Sequence, residues 1–195
     1  MAIINDTPAV AYLDRSSGGG RLRYVRASDL SGTSWSTPIT VDSSPATGYS
    51  PSLLLVNGTP AIAYTTADAS HNLKYIRANN ASGSSWGTPI IIDNSAATPQ
   101  LQIINGNPAI VYTRVREGQS KYSLKYVRAS EISGTTWTVP LNLDEVGDAR
   151  APSFKIINGK PAVSYLDLTN VDLKYITAND VSGTIWNNPV TVDAT

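Results

Sequence analysis

Along this chain the apolar residues fall in short runs of about five to eight positions, broken at regular intervals by Asn-Gly, Ser-Gly and proline. Runs of that length bounded by turn residues predict strands and hairpins rather than helices. Residues 52 to 93 show the pattern most plainly, as SLLLV (Ser52 to Val56), AIAYT (Ala61 to Thr65), LKYIRA (Leu73 to Ala78) and WGTPIII (Trp86 to Ile92). Asn57-Gly58 joins the first two runs; Asn105-Gly106 and Asn158-Gly159 recur at the same place further along, and Asn5-Asp6 takes it near the start. Asn-Gly supplies the two positive φ angles of a type I′ turn, whose twist suits an antiparallel hairpin. The fourth run of each set carries a proline: Pro38, Pro89, Pro140 or Pro189. Proline removes a ladder donor, so this run is predicted to be the outer edge of its sheet, protected from pairing with other chains.

The set repeats. Tryptophan occurs only at Trp35, Trp86, Trp137 and Trp186, about every 50 residues, in SGTSWSTPITVD, SGSSWGTPIIID, SGTTWTVPLNLD and SGTIWNNPVTVD. Upstream of each lies LRYVRA, LKYIRA, LKYVRA or LKYITA, from Leu22, Leu73, Leu124 and Leu173, and before that PAVAY, PAIAY, PAIVY or PAVSY, from Pro8, Pro60, Pro108 and Pro161. A meander of four short strands carries apolar residues on both faces, Ala9 and Leu13 on one and Val10 and Tyr12 on the other. Both faces then need neighbours, which points to blades packed around an axis. The prediction is an all-β β-propeller of four-stranded antiparallel blades, four per chain, at residues 1–42, 43–93, 94–144 and 145–195. An immunoglobulin-type sandwich does not call for four copies of one meander. Aligning Pro8 with Pro60 leaves only Ala2, Ile3 and Ile4 to match Leu54, Leu55 and Val56, so the first inner strand is truncated. After Val192 and Asp193 no further strand is left to close a ring by exchange. An open arc exposes two apolar blade faces, and a head-to-tail pair covers them. The expectation is therefore a homodimer completing an eight-bladed ring, with a narrow closed four-bladed monomer as the other solution.

The Ser-Gly-x-x-Trp turn between the third and fourth strands resembles the Asp-box hairpin of sialidase-like and BNR-repeat propellers. Asp29, Glu131 and Asp180, with Asn80 in the second copy, lie three residues before the glycine, where that family has its acid two before. The resemblance implies a structural role, since the box closes its hairpin in enzymes and binding proteins alike. The chain also looks like the tandem repeats of bacterial propellers, lectins among them.

Composition removes several kinds of chemistry. With no cysteine and one histidine, disulfides, thiolate zinc sites, cysteine nucleophiles and multi-histidine cages are excluded. Fifteen basic and fifteen acidic residues balance to zero, so no net field draws nucleic acid or an anionic membrane. No apolar run reaches the roughly 20 residues of a membrane span, and MAIINDTP lacks the regions of a signal peptide; the compartment is otherwise open. His71 sits in a loop without a neighbouring nucleophile motif. A sialidase-type mechanism needs an arginine cluster and a tyrosine nucleophile served by a glutamate, and no motif assembles them. Neither cofactor nor metal is expected.

Up-and-down topology places the loops between strands two and three, and the segments between blades, on one edge, with the Asn-Gly and Ser-Gly turns on the other. The variable segments all fall on the first edge, the usual seat of recognition on a rigid scaffold. Two tyrosines outside the repeat, Tyr49 and Tyr122, lie there. The third copy's loop, TRVREGQSKYS, is the longest and gathers Arg114, Arg116, Lys121 and Tyr122, with Glu145, Asp148 and Arg150 in the segment after its blade. Candidate ligand-binding residues are thus Tyr49, Arg114, Arg116, Lys121, Tyr122, Asp148 and Arg150. The repeated acids, including Asp42, Asp93, Asp144 and Asp193, read as turn caps and surface pairs, or else as a ring of equivalent sites. Aromatic and uncharged loops suit neutral polar ligands. The functional expectation is a non-catalytic recognition or scaffold module that binds glycans. The alternatives are a sialidase-like glycoside-acting enzyme and a purely structural repeat segment.

Overall fold

The computed structural model describes residues 1–16 and 19–194; Ser17 and Gly18, in the first variable loop, and Thr195 lie outside the described residues. No helix is long and apolar enough to cross a membrane, which says nothing of a β-barrel. The first sheet is β1 (Ala2–Ile4), β2 (Thr7–Asp14), β3 (Arg21–Arg26) and β4 (Ile39–Asp42). The second is β5 (Tyr49–Val56), β6 (Thr59–Thr65), β7 (Leu73–Arg77) and β8 (Ile90–Asp93). The third is β9 (Ala96–Ile104), β10 (Asn107–Val115), β11 (Tyr122–Arg128) and β12 (Leu141–Asp144). The fourth is β13 (Ala149–Ile157), β14 (Lys160–Asp167), β15 (Asp172–Thr177) and β16 (Val190–Ala194). In every sheet the strands lie side by side in chain order and pair antiparallel. The all-β fold of four-stranded propeller blades, four to the chain, is as the repeat predicts, and β1 is the short inner strand.

The hairpins follow from their turn residues. Asn57, Asn105 and Asn158 have φ of 45°, 45° and 50°, each followed by a glycine of positive φ, and Asn5-Asp6 adopts the same pair at 46° and 64°. Two features differ from the pattern. The fourth strand is shorter, because each tryptophan makes a single bridge, Trp35 to Ala27 and its three equivalents, and the ladder resumes only after the proline. Proline has no N–H to give. The inner strands, conversely, reach back into the segments read as interblade loops. They do so through a bulge at Ser50, Thr98 and Ala151, whose φ values are 47°, 47° and 46°, each directly before a proline. A non-glycine residue held in that region costs about 1–3 kcal/mol, which the ladders on either side of the bulge offset.

The chain divides into two compact units, Met1–Ser95 and Ala96–Thr195, of two blades each. In the first, Ala11, Leu22 and Tyr24 pack against Leu53, Ile62, Tyr64 and Ile76 of the next blade. In the second, Val111, Leu124, Tyr126 and Leu143 pack against Phe154, Val163, Tyr165 and Ile176. Each of the leucine, isoleucine, valine and phenylalanine side chains buried here contributes about 1.5–3 kcal/mol. The turn before the tryptophan locks the same junction. Tyr24 Oη donates to Ser82 O (3.3 Å) and Tyr126 Oη to Ser182 O (2.8 Å), with Trp86 and Trp186 meeting these rings edge-on at 5.2 Å. Gly183 has a φ of 70°, and a Cβ there would stand 2.8 Å from the Tyr126 ring, so neither the turn nor the junction admits a side chain. Within the turn, Asp180 accepts N–H bonds from Ser182 (2.8 Å) and Ile185 (2.8 Å). Partial burial pushes this carboxyl up, but the N–H groups of Ile185, Thr184 and Ser182 outweigh it and hold the group at about 2. Asp29 makes equivalent bonds.

Candidate functional site

At the loop edge of each unit a buried carboxylate at the end of a fourth strand reaches into the next blade. Asp42 accepts from Tyr64 Oη (2.6 Å) and Lys74 Nζ (3.3 Å). Asp144 accepts from Tyr165 Oη at 2.6 Å, with Lys174 Nζ at 3.9 Å. Burial first, and the carboxylate acceptor second, push the Tyr64 and Tyr165 phenols well above the usual range. Both tyrosines therefore stay protonated donors. Both aspartates are buried, so the surface pairs expected of them are instead junction contacts. Their signal lies in register: an acid ends each fourth run, a tyrosine ends each PAxxY motif, and a basic residue follows each Leu of LKY or LRY.

The second unit builds further on this frame. Asp167, 1% exposed, takes the ammonium of Lys174 at 2.6 Å and the N–H groups of Asp148 (2.9 Å) and Thr169 (3.0 Å). Burial pushes its carboxyl up, but Lys174 and the two N–H groups more than cancel that and hold it at about 2. The segment approaches so closely that a Cβ on Gly147 would lie 2.5 Å from the Asp167 carboxylate. Asp148 in turn accepts from Tyr122 N (2.8 Å) and from Arg150 through Nε (3.0 Å) and Nη2 (3.1 Å). The Arg150 guanidinium lies over the Tyr122 ring, 3.9 Å from its centre. Burial raises the Asp148 carboxyl, and the bonds from Arg150 and Tyr122 bring it below its ordinary value, so it is ionised at neutral pH. Arg116 donates to the carbonyls of Glu145 and Gly147, and Lys121 Nζ reaches Thr169 Oγ1 at 3.3 Å.

Five of the seven candidate residues, Arg116, Lys121, Tyr122, Asp148 and Arg150, thus belong to one connected edge. Arg114 sits half-buried on β10 opposite Ser123. Tyr49 lies in the first unit, on β5 and not in a loop, with Arg15 over its ring at 5.4 Å. His71 is exposed in the loop after β6, its N–H bonded to Asp68 Oδ1 (3.0 Å). Sequence reasoning names Asp144 only among the repeated acids and misses Tyr165, Asp167 and Lys174, the rest of the layer on which the five stand. The assembled edge offers an ionised, fixed carboxylate, an aromatic ring and several cationic donors, a set suited to hydroxyl-rich ligands.

No protein-family model matches this sequence, and no curated protein matches it. Solved structures do. The whole chain superposes on 41% of a xylan β-1,4-xylosidase from Bacillus Halodurans C-125, with a TM-score of 0.65 and 15% identity. An α-L-arabinofuranosidase from Clostridium thermocellum matches 98% of the chain over 71% of its own length, with a TM-score of 0.62 and 13% identity. An endo-arabinase from Bacteroides thetaiotaomicron matches 99% over 84%, with a TM-score of 0.58 and 13% identity. The likeness establishes a shared propeller fold. The chain spans less than half the length of the xylosidase it matches. These matches correct two expectations, the non-catalytic recognition or scaffold module and the absence of enzymatic function, because the matched proteins are glycoside-cleaving enzymes by name. The reason for the error is physical. Side chains that meet on a repeat scaffold come from far apart in sequence, as Asp144, Asp167 and Lys174 do, and leave no contiguous motif to find.

Proposed function

We propose that this chain acts on glycosides, cleaving a bond between neutral sugar units held at the loop edge of the second unit. The observation that carries the reading is the ionised Asp148, locked by Arg150 and Tyr122 in a row that also holds Arg116 and Lys121. The enzyme names of the matched structures supply the reaction class. Glycoside hydrolysis needs two carboxyl groups: one protonates the leaving oxygen, and the other activates water or meets the developing positive charge at the anomeric carbon. Asp148 suits the second task, since its hydrogen bonds keep it charged. Glu145, exposed three residues earlier in the same segment, is the carboxyl we assign to the first. Tyr122 and the cationic side chains would orient sugar hydroxyls. The Ser-Gly-x-x-Trp hairpins, with their likeness to the Asp-box of sialidase-like propellers, serve in this reading as scaffold on the other edge.

The test is turnover of a panel of aryl xylosides, arabinofuranosides and fructofuranosides. Release of the aryl alcohol above the buffer rate, lost in Glu145→Gln and Asp148→Asn, is the expected result. A wild-type protein that hydrolyses no member of the panel overturns the reading.

A further inference from the structure

Each blade has two faces, and the repeat allows the same position to be compared in all four copies. Leu22, Leu73 and Leu124 are fully buried, whereas the fourth copy's Leu173 is 37% exposed. Val192 is 60% exposed where Leu143 is buried, and Tyr175 is half-buried where Tyr24, Tyr75 and Tyr126 are buried. On the opposite face of the first blade, Val10, Tyr12 and Val25 are half-buried where the other copies bury Ile62, Tyr64 and Ile76, or Val163, Tyr165 and Ile176, to 1% or less. Trp35, at 43%, is more exposed than Trp86, Trp137 or Trp186. The fourth blade therefore presents the face that the third blade turns toward the fourth. The first blade presents the face that the second turns toward the first.

These open faces carry the full chemistry of the closed junctions. Within each unit the junction joins an aspartate to a tyrosine and a lysine, and a tyrosine to a tryptophan edge. The fourth blade holds the giving half, Leu173, Tyr175 and an exposed Asp193; the first holds the receiving half, Tyr12, Trp35 and Arg23 at the lysine position. We propose that a second copy of this chain docks here head to tail, the fourth blade of each copy on the first blade of the other. Asp193 then accepts from the Tyr12 phenol and pairs with Arg23, and Tyr175 meets the Trp35 edge. One copy has one face of each kind, so a pair that closes on itself satisfies all four faces and leaves none to seed filaments.

Light scattering on the purified chain should give twice 20.7 kDa. Leu173→Glu, at a site already exposed, should halve that mass with the far-ultraviolet circular dichroism unchanged, while Val139→Glu, on the exposed hairpin edge, should leave it alone. Asp193→Arg should weaken the pair at least tenfold by sedimentation, and adding Arg23→Asp in the same chain should restore it. A mass of 20.7 kDa at all concentrations, a ladder of larger species, or a Leu173→Glu variant that stays paired overturns the proposal.

Discussion

An arginine stacks on a tyrosine across the blade junction at the loop edge of both units, but the partners are exchanged. In the first unit Tyr49 comes from the inner strand of the second blade and Arg15 from the loop of the first, 5.4 Å apart. In the second, Arg150 occupies the place of Tyr49, two residues before the bulge proline, and Tyr122, the first residue of β11 and not a loop residue as the sequence suggests, lies 3.9 Å away. The difference lies in what stands behind the stack. Beside Tyr49 the position of Asp148 is taken by Thr47, whose hydroxyl donates to the carbonyls of Asp42 (3.2 Å) and Ser44 (3.0 Å). The position of Asp167 is taken by Thr66, whose hydroxyl donates to Asp68 (2.8 Å). One repeat position can thus carry either half of a cation–aromatic pair, and two Thr-to-Asp differences turn a closed turn into a chain of charges ending at an anchored guanidinium. The scaffold is common to both units and the second carries the candidate chemistry.

The largest effect that breaks the comparison is removal of the shared aspartate. Asp42→Ala leaves the buried Tyr64 hydroxyl and Lys74 without their acceptor and should cost about 3–5 kcal/mol by urea unfolding. Asp144→Ala should cost less, about 1–3 kcal/mol, because Lys174 keeps Asp167 at 2.6 Å. Equal losses would mean that Asp167 gives no support. Next, acid titrates the chain of charges. The Asp167 carboxyl is held at about 2 against an ordinary 3.8, a folded value below the unfolded one. Its share of stability, about 2 kcal/mol, is whole above the ordinary value and lost as pH falls toward about 2. The stability gap between wild type and Asp167→Asn should narrow over that interval and hold level at higher pH. Asp148→Thr, which gives the second unit the residue of the first, should free Arg150 at a cost of about 1–2 kcal/mol. Smallest of all, Arg15→Ala should change stability by no more than about 0.5 kcal/mol.

The fold was legible because each signal was local and repeated: three Asn-Gly turns with Asn5-Asp6 in the first copy, the spacing of the four tryptophans, and the four prolines that interrupt the outer ladders. The bulges at Ser50, Thr98 and Ala151 were not, since nothing in Ser-Pro, Thr-Pro or Ala-Pro demands a positive φ; the ladders on either side impose it. At the site, the irregular third loop and Asp148 to Arg150 stood out as departures from the repeat. Asp167 and Lys174 did not, because Lys174 looks like every other lysine of LKY and its second carboxylate is revealed only when the strands pair. The proposed glycoside chemistry has no contiguous signature in the sequence.

The second unit's loop edge is either a site of chemistry, as proposed, or reinforced scaffold. Initial rates on the aryl glycoside panel, measured for wild type and for Asp148→Asn with their urea midpoints alongside, address this directly. Asn keeps the shape and one acceptor oxygen, so the expected outcome is at least a hundredfold lower rate with a stability change of about 1 kcal/mol or less. An Asp148→Asn protein that turns over as fast as wild type would contradict the account.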